Sequence, residues 1–213
     1  MSNPQTMADL TSTKGWVKTR YDQSVWIPIL PVFPDGYDVR SYSAEYAEEW
    51  WKASGLPHTG VDVLRLFHLL VEAHEGTYGH LPCHLAFAHL PDPRLMPLLL
   101  HVGIWEATGV RDEQLRMWCL ADDPGAVEPP VVEEFAIDSL GTGLRVMRYR
   151  HHEDGALYAA LRYAWRSEEF QTDLVLNTTA EDLGRLHRAI PDIEAFACMT
   201  TIVAAGQPRP AES

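Results

Sequence analysis

The chain is poor in lysine and cysteine, and it has no long apolar run. Of its 17 basic residues only Lys14, Lys18 and Lys52 are lysines, and 30 acidic residues leave a formal charge of -13. A field of that sign repels phosphate backbones and anionic lipid, so it argues against nucleic-acid and membrane partners. The three cysteines, Cys83, Cys119 and Cys198, are too widely spaced for a CxxC pair and odd in number. No disulfide framework follows, and their apolar neighbours predict buried thiols in a reducing compartment. No apolar run approaches the roughly 20 residues that span a bilayer. The polar stretch 1–14 lacks the apolar core of a secretory signal, and a cytoplasmic chain is expected.

Catalytic signatures are also absent. There is no Gly-x-Ser-x-Gly elbow, and no cysteine lies in a recognisable catalytic sequence. Gly141-Thr142-Gly143 joins two strand-like runs instead of opening a helix, as a phosphate cradle would. Glu133-Glu134 are adjacent on a strand-like run and point to opposite faces. Asp122-Asp123, Glu168-Glu169 and Glu181-Asp182 sit at turns or a helix start, where solvated charge is the ordinary role. No cofactor is implied.

What the sequence contains in quantity is strand pattern. Val131–Ile137, Leu144–Arg150, Leu157–Trp165 and Thr172–Asn177 follow one another with turn signals and no helix between them, the mark of an antiparallel meander. Upstream, Trp16 to Pro34 is apolar but broken by Pro28, Pro31 and Pro34, and reads as an edge strand or extended packing arm. Ser43-Ala44-Glu45-Tyr46 is close to a capping box opening a helix that Gly55 and Pro57 end. Thr59 or Gly60 opens a second helix, which Gly76 stops. Cys83–Leu90 and Pro97–Trp105 make a hairpin about Pro91–Arg94, and Leu115–Leu120 reads as a further strand. After the meander Thr179-Ala180-Glu181-Asp182 caps a closing helix that Pro191 resets. The reading is a single α+β domain over 15–205, an antiparallel sheet of about six strands with helices packed against it. A flexible arm, 1–14, and a flexible tail, 206–213, flank it.

Two constellations carry chemistry. Six of the ten histidines fall between His58 and His89, and His74, His80 and His84 lie near Glu75 and Cys83. Their spacing does not match a zinc motif: His74-Glu75 is followed by the next histidine six residues on, and His84 and His89 alternate faces on a strand. Histidines satisfied within the fold, or a metal site, are the two readings. The second constellation is Arg148, Arg150 and Arg162, which share a face with Tyr158 in one register, opposite Met147, Tyr149, Leu161 and Tyr163. Three arginines in an acidic chain would make a positive patch that grips carboxylates bidentately, unless the chain's own acids pair with them. Of the adjacent Trp50 and Trp51, set about 100° apart on a helix, one is expected to face outward, and Trp51 is the candidate for a binding surface.

Ala-Asp-Asp-Pro at 121–124, Pro-Pro-Val-Val-Glu-Glu-Phe at 129–135 and Ala-Leu-Arg-Tyr-Ala-Trp at 160–165 resemble phrases of actinobacterial proteins. The strand series with its closing helix, over residues 80–203, is similar to the small α/β fold of PsbP-like proteins. That resemblance implies a mostly non-catalytic fold of accessory subunits, partner-binding factors and chaperones of secreted effectors, and it carries over no functional residue. The expectation is a non-catalytic adaptor, chaperone or immunity-like factor that engages another protein through a sheet face, using Arg148, Arg150, Arg162, Tyr158 and Trp51. A homodimer stays open. The alternatives are a metal-dependent enzyme on the histidine cluster and a small-molecule module with an apolar pocket under the 16–33 arm.

Overall fold

The structure, a computed structural model, describes residues 14–80 and 83–204, with backbone alone at Gly79 and His80. The expected arm before Lys14 and the tail 206–213 lie outside the described residues. The elements are β1 (Gly15–Thr19), β2 (Trp26–Ile29), α1 (Val39–Ser54), α2 (Gly60–His80), β3 (Leu85–His89), β4 (Leu98–Glu106), α3 (Arg111–Cys119), β5 (Val131–Ile137), β6 (Gly141–His151), β7 (Leu157–Ser167), β8 (Thr172–Ala180), α4 (Leu183–Cys198) and β9 (Thr200–Ala204). Seven strands form a sheet in the order β2-β3-β4-β8-β7-β6-β5, and β1 pairs with β9 in a separate ribbon. The pairs β1–β9, β2–β3, β3–β4, β5–β6, β6–β7 and β7–β8 are antiparallel. The fold is α+β, as the strand series predicts. Two compact units divide it at Tyr21 and within β4, one spanning Tyr21–Val102 and the other the residues on either side.

In the unit Tyr21–Val102, α1 starts a turn earlier than Ser43. The Asp38 carboxylate accepts from Ser41 N at 2.8 Å and the Ser41 hydroxyl accepts from Asp38 N at 2.9 Å, a reciprocal cap. Gly55 closes the helix in the left-handed region at φ 64°. Thr59 precedes α2, its backbone N–H and hydroxyl both donating to Asp62 Oδ2 at 2.8 and 2.7 Å. Gly76 does not stop α2, although a helical glycine costs about 1 kcal/mol. Thr77 is fully buried and the Tyr78 hydroxyl donates to Ile29 O at 2.6 Å, so packing carries the helix past it. Trp51, Leu66, Leu70, Ile27, Ala88 and Leu90 form the core of this unit. β2, with Pro28 in it, is an edge strand, where a missing N–H is tolerated.

In the other unit the meander is present strand for strand, with β6, β7 and β8 longer than their apolar runs. Leu115–Leu120 is not a strand. Its Leu115 and Cys119 recur at helical spacing on α3, where both are buried with Val146, Ala164 and Val175. Asp112 and Glu113 in the first turn and Arg116 in the last suit the helix dipole, and Leu120 ends α3 at φ 54°. α4 packs on β7 and β8 from the opposite face, where the Tyr163 hydroxyl donates to Glu194 Oε1 at 3.2 Å. Within the stretch 179–182 it is Asp182 that caps α4, because β8 runs on to Ala180. Pro191 lies inside α4; the buried stripe Leu186, Ala189, Ile193, Phe196 and Ala197 keeps its face through the lost hydrogen bond. A buried pair, Arg166 with Asp173 at 2.7 and 3.0 Å, ties β7 to β8. Arg166 also donates to the carbonyls of Thr108 and Gly109, and Trp118 Nε1 donates to Asp173 at 3.0 Å.

Candidate functional site

The β6–β7 register sets Val146 opposite Arg162, Arg148 opposite Ala160 and Arg150 opposite Tyr158. Arg148, Arg150, Arg162 and Tyr158 therefore share one sheet face, with Met147, Tyr149, Leu161 and Tyr163 on the other, the arrangement the sequence suggested. α3 covers the arginine face. Arg148 is only 5% exposed and donates to Asp123 Oδ2. Arg150 Nη1 stands 3.6 Å from the same carboxylate oxygen. The Asp123 carboxylate accepts from Gly125 N at 2.9 Å, and that bond, with Arg148 and Arg150, holds its carboxyl below the usual value. Arg162 donates from Nε to Asn177 Oδ1 at 3.0 Å and from Nη1 to Trp118 O at 2.8 Å. Burial, with the Arg148 guanidinium nearby, pushes Arg162 below the ordinary guanidinium value.

The arginines are thus joined on one face, but Arg148 and Arg162 are turned to partners inside the protein, and the single Asp123 carboxylate serves both Arg148 and Arg150. What reaches solvent is Arg150, 40% exposed in its side chain, and Tyr158, whose ring lies 4.4 Å from that of His152. Trp51 corrects the sequence reading. It is 3% exposed in the core of the Tyr21–Val102 unit, with its ring stacked on His58 at 5.3 Å, and offers no surface for a partner. Trp50 is the half-buried one, its Nε1 donating to Leu90 O at 2.9 Å.

Among the described side chains, the histidines do not gather round a common point. His74, on α2, lies between the rings of Phe33 and Tyr78, each at 5.3 Å. His84 is buried just before β3, and the side chain of His80 lies outside the described residues. Among the described residues no three of His, Cys, Asp and Glu stand where they would hold a metal. Cys83 is buried, and desolvation pushes its thiol up to about 11. No helix among the described residues is long and apolar enough to cross a membrane.

The sequence reading passed over the margin of the sheet. Among the described residues β5 ends the strand order and pairs only with β6. Val131 is 50% exposed, and Glu133, Glu134 and Ala136 are exposed along it. Glu133 is paired across the ladder with Arg145, whereas among the described residues no ion pair holds Glu134. The signal was present in the sequence: Pro129-Pro130 followed by a strand interrupted by two acids is the composition of an edge strand.

No protein-family model matches the chain, and no curated protein matches it in sequence. Among solved structures, PsbP (CyanoP) from Synechocystis sp. PCC 6803 aligns with 88% of this chain and 92% of its own at TM-score 0.37 and 9% identity. LpqN of Mycobacterium tuberculosis, involved in cell envelope biogenesis, aligns with 90% of this chain and 86% of its own at TM-score 0.51 and 7% identity. At that identity the likeness to LpqN is one of fold, and the fold is the α+β arrangement described above.

Proposed function

We propose that this chain is a non-catalytic protein-binding factor, of the adaptor or chaperone kind, that takes an extended segment of another protein along its sheet. The observation that carries this reading is the β5 margin, seven residues without proline at the end of the strand order, with Val131, Glu133, Glu134 and Ala136 exposed. The outward N–H and C=O groups of an edge strand are satisfied by an added strand, which gives affinity through the main chain and specificity through alternate side chains. A second copy is a poor occupant. In the two-fold register centred on β5, Glu134 would meet Glu134, and like charges directly opposite destabilise a ladder. Arg150 and Tyr158, the exposed remainder of the arginine face, add polar contacts to the same sheet. Three free thiols suit a reducing compartment as the setting.

The test is capture from host lysate on the immobilised chain, read by native mass spectrometry, followed by hydrogen exchange of the complex. The expected result is one polypeptide at fixed stoichiometry, with the amides of residues 131–137 slowed. Protection confined to other segments would overturn the β5 docking line. A bound metal ion or small molecule with no polypeptide would overturn protein binding itself.

A further inference from the structure

On the α3 face of β6 and β7 three guanidiniums share one carboxylate. Arg148 and Arg150 stand two residues apart on β6, and Arg162 on β7 lies diagonally across from Arg148. Among the ion pairs of the described residues, Asp123 is the only acid set against any of them. Its Oδ2 accepts directly from Arg148 Nη1, whereas Arg150 Nη1 stands 3.6 Å away, outside hydrogen-bond reach. Arg162 donates to neutral oxygens, those of Asn177 and Trp118. Three positive charges thus meet one negative charge, and Arg148, at 6% side-chain exposure, is too buried for water to screen the excess. The Nε–H groups of Arg148 and Arg150 are both buried, and neither has a partner among the described residues. The open side of the cluster is Arg150. Its side chain is 40% exposed, and half-buried Tyr158 stands directly opposite it in the ladder. The guanidinium is seated against the 123–125 turn, where a Cβ at Gly125 would stand 2.7 Å from its Nη2. Further along the hairpin, Glu181 is taken by His152 Nε2 at 3.3 Å.

We infer that Arg150, with Tyr158 opposite it, binds an oxyanion, a phosphate or a carboxylate, whose charge completes the neutralisation that Asp123 begins. A guanidinium offers such a group two parallel N–H donors, and one already held against a turn loses little freedom on binding. Arg148 and Arg162 do not touch the ligand; their charge raises the potential where it binds. The same excess disfavours a cation. This site stands independently of the β5 margin, which presents main-chain groups and unpaired Glu134.

The test titrates the full chain with inorganic phosphate and, separately, with N-acetylglutamate amide, each against sodium chloride at equal ionic strength. NMR of the amide and arginine Nε–H groups reads the site. The expected result is saturable binding, with shifts confined to residues 123–125, 148–152 and 158–162. Affinity should fall about ten-fold or more in Arg150→Gln and about three-fold in Tyr158→Phe. Arg150 reaches solvent and Tyr158 partly does, and an unchanged melting temperature in chloride shows that each variant folds. Arg94→Gln, an exposed arginine of the other unit paired with Asp92, should leave the affinity unchanged. Tighter phosphate binding would assign the site to a phosphoryl group, and tighter N-acetylglutamate amide to the carboxylate of a protein; either supports an oxyanion site. Shifts that follow ionic strength alone, with chloride as effective as phosphate, would overturn the proposal. So would an Arg150→Gln chain that binds as tightly as wild type.

Discussion

The indole Nε1–H of Trp165 on β7 donates to the main-chain carbonyl of Phe135 on β5 at 3.0 Å, crossing the intervening β6 over Gly143. The missing Cβ at Gly143 makes that crossing available, because a Cβ there would stand 2.3 Å from both Trp165 Cδ1 and Ala164 O. One of those neighbours is backbone, so no rotamer change clears it. Gly143→Ala is expected to destabilise by about 1–3 kcal/mol or more, exceeding Trp165→Phe, which removes a buried donor worth about 1 kcal/mol. Urea unfolding of both variants checks the order, and a neutral Gly143→Ala would show that the indole does not occupy this place.

Arg148 and Arg150 lie two residues apart on β6 and share Asp123, yet they should respond differently to substitution. Arg148→Glu buries a second carboxylate beside Asp123 and should cost roughly 3–5 kcal/mol. Arg150→Glu, 40% exposed in its side chain, should cost less than about 1 kcal/mol. Only Arg150→Glu therefore separates binding from folding on this face. Equal unfolding midpoints for the two variants would refute the assignment.

Acid should expose the contribution of Asp123. Its carboxyl is held below the ordinary value of 3.8 by the Gly125 N–H and then by Arg148 and Arg150. A depressed carboxyl stabilises the fold above its unfolded value, and that stability is lost as pH falls through the folded value. The stability gap between wild type and Asp123→Asn is expected to hold from pH 7 to about pH 5 and to close below the ordinary carboxylate range. A gap of constant size down to pH 2 would show that this carboxylate does not titrate with folding.

Thiol labelling reads the packing directly. Cys198 is exposed, whereas Cys83 and Cys119 are buried, with thiols pushed by desolvation up to about 11 and about 12. Iodoacetamide at neutral pH should label one cysteine per chain quickly, at Cys198, and the other two only in denaturant. Rapid labelling of Cys119 would contradict the seating of α3 on Val146, Ala164 and Val175.

The four meander strands were legible because alternation and turn chemistry are local. Val131–Ile137 and its successors announce themselves within a few residues, as do the Gly55 stop of α1 and the Thr59 start of α2. The β6–β7 register was one of those the sequence allowed, and a one-residue slip would have redistributed the arginines; the pairing of Arg150 with Tyr158 decided it. α3 was missed because a six-residue apolar run reads equally as strand or helix; its one-sided burial against Val146 and Ala164 decided for helix. The insertion of β8 between β4 and β7 and the pairing of β1 with β9 join residues far apart in the chain, so no local pattern records them. The same holds at the site. Residue types placed Arg148, Arg150 and Arg162 on one face, but what covers that face is set by Asp123 and α3 arriving from elsewhere in the chain. Likewise, helical spacing says only that Trp50 and Trp51 diverge, and the packing of α1 on α2 chose Trp51 for the core. By itself the sequence determined element type and face, which short-range sterics and hydrogen bonding dictate. Exposure depends on which distant surface packs against each face, and only the tertiary structure decided it.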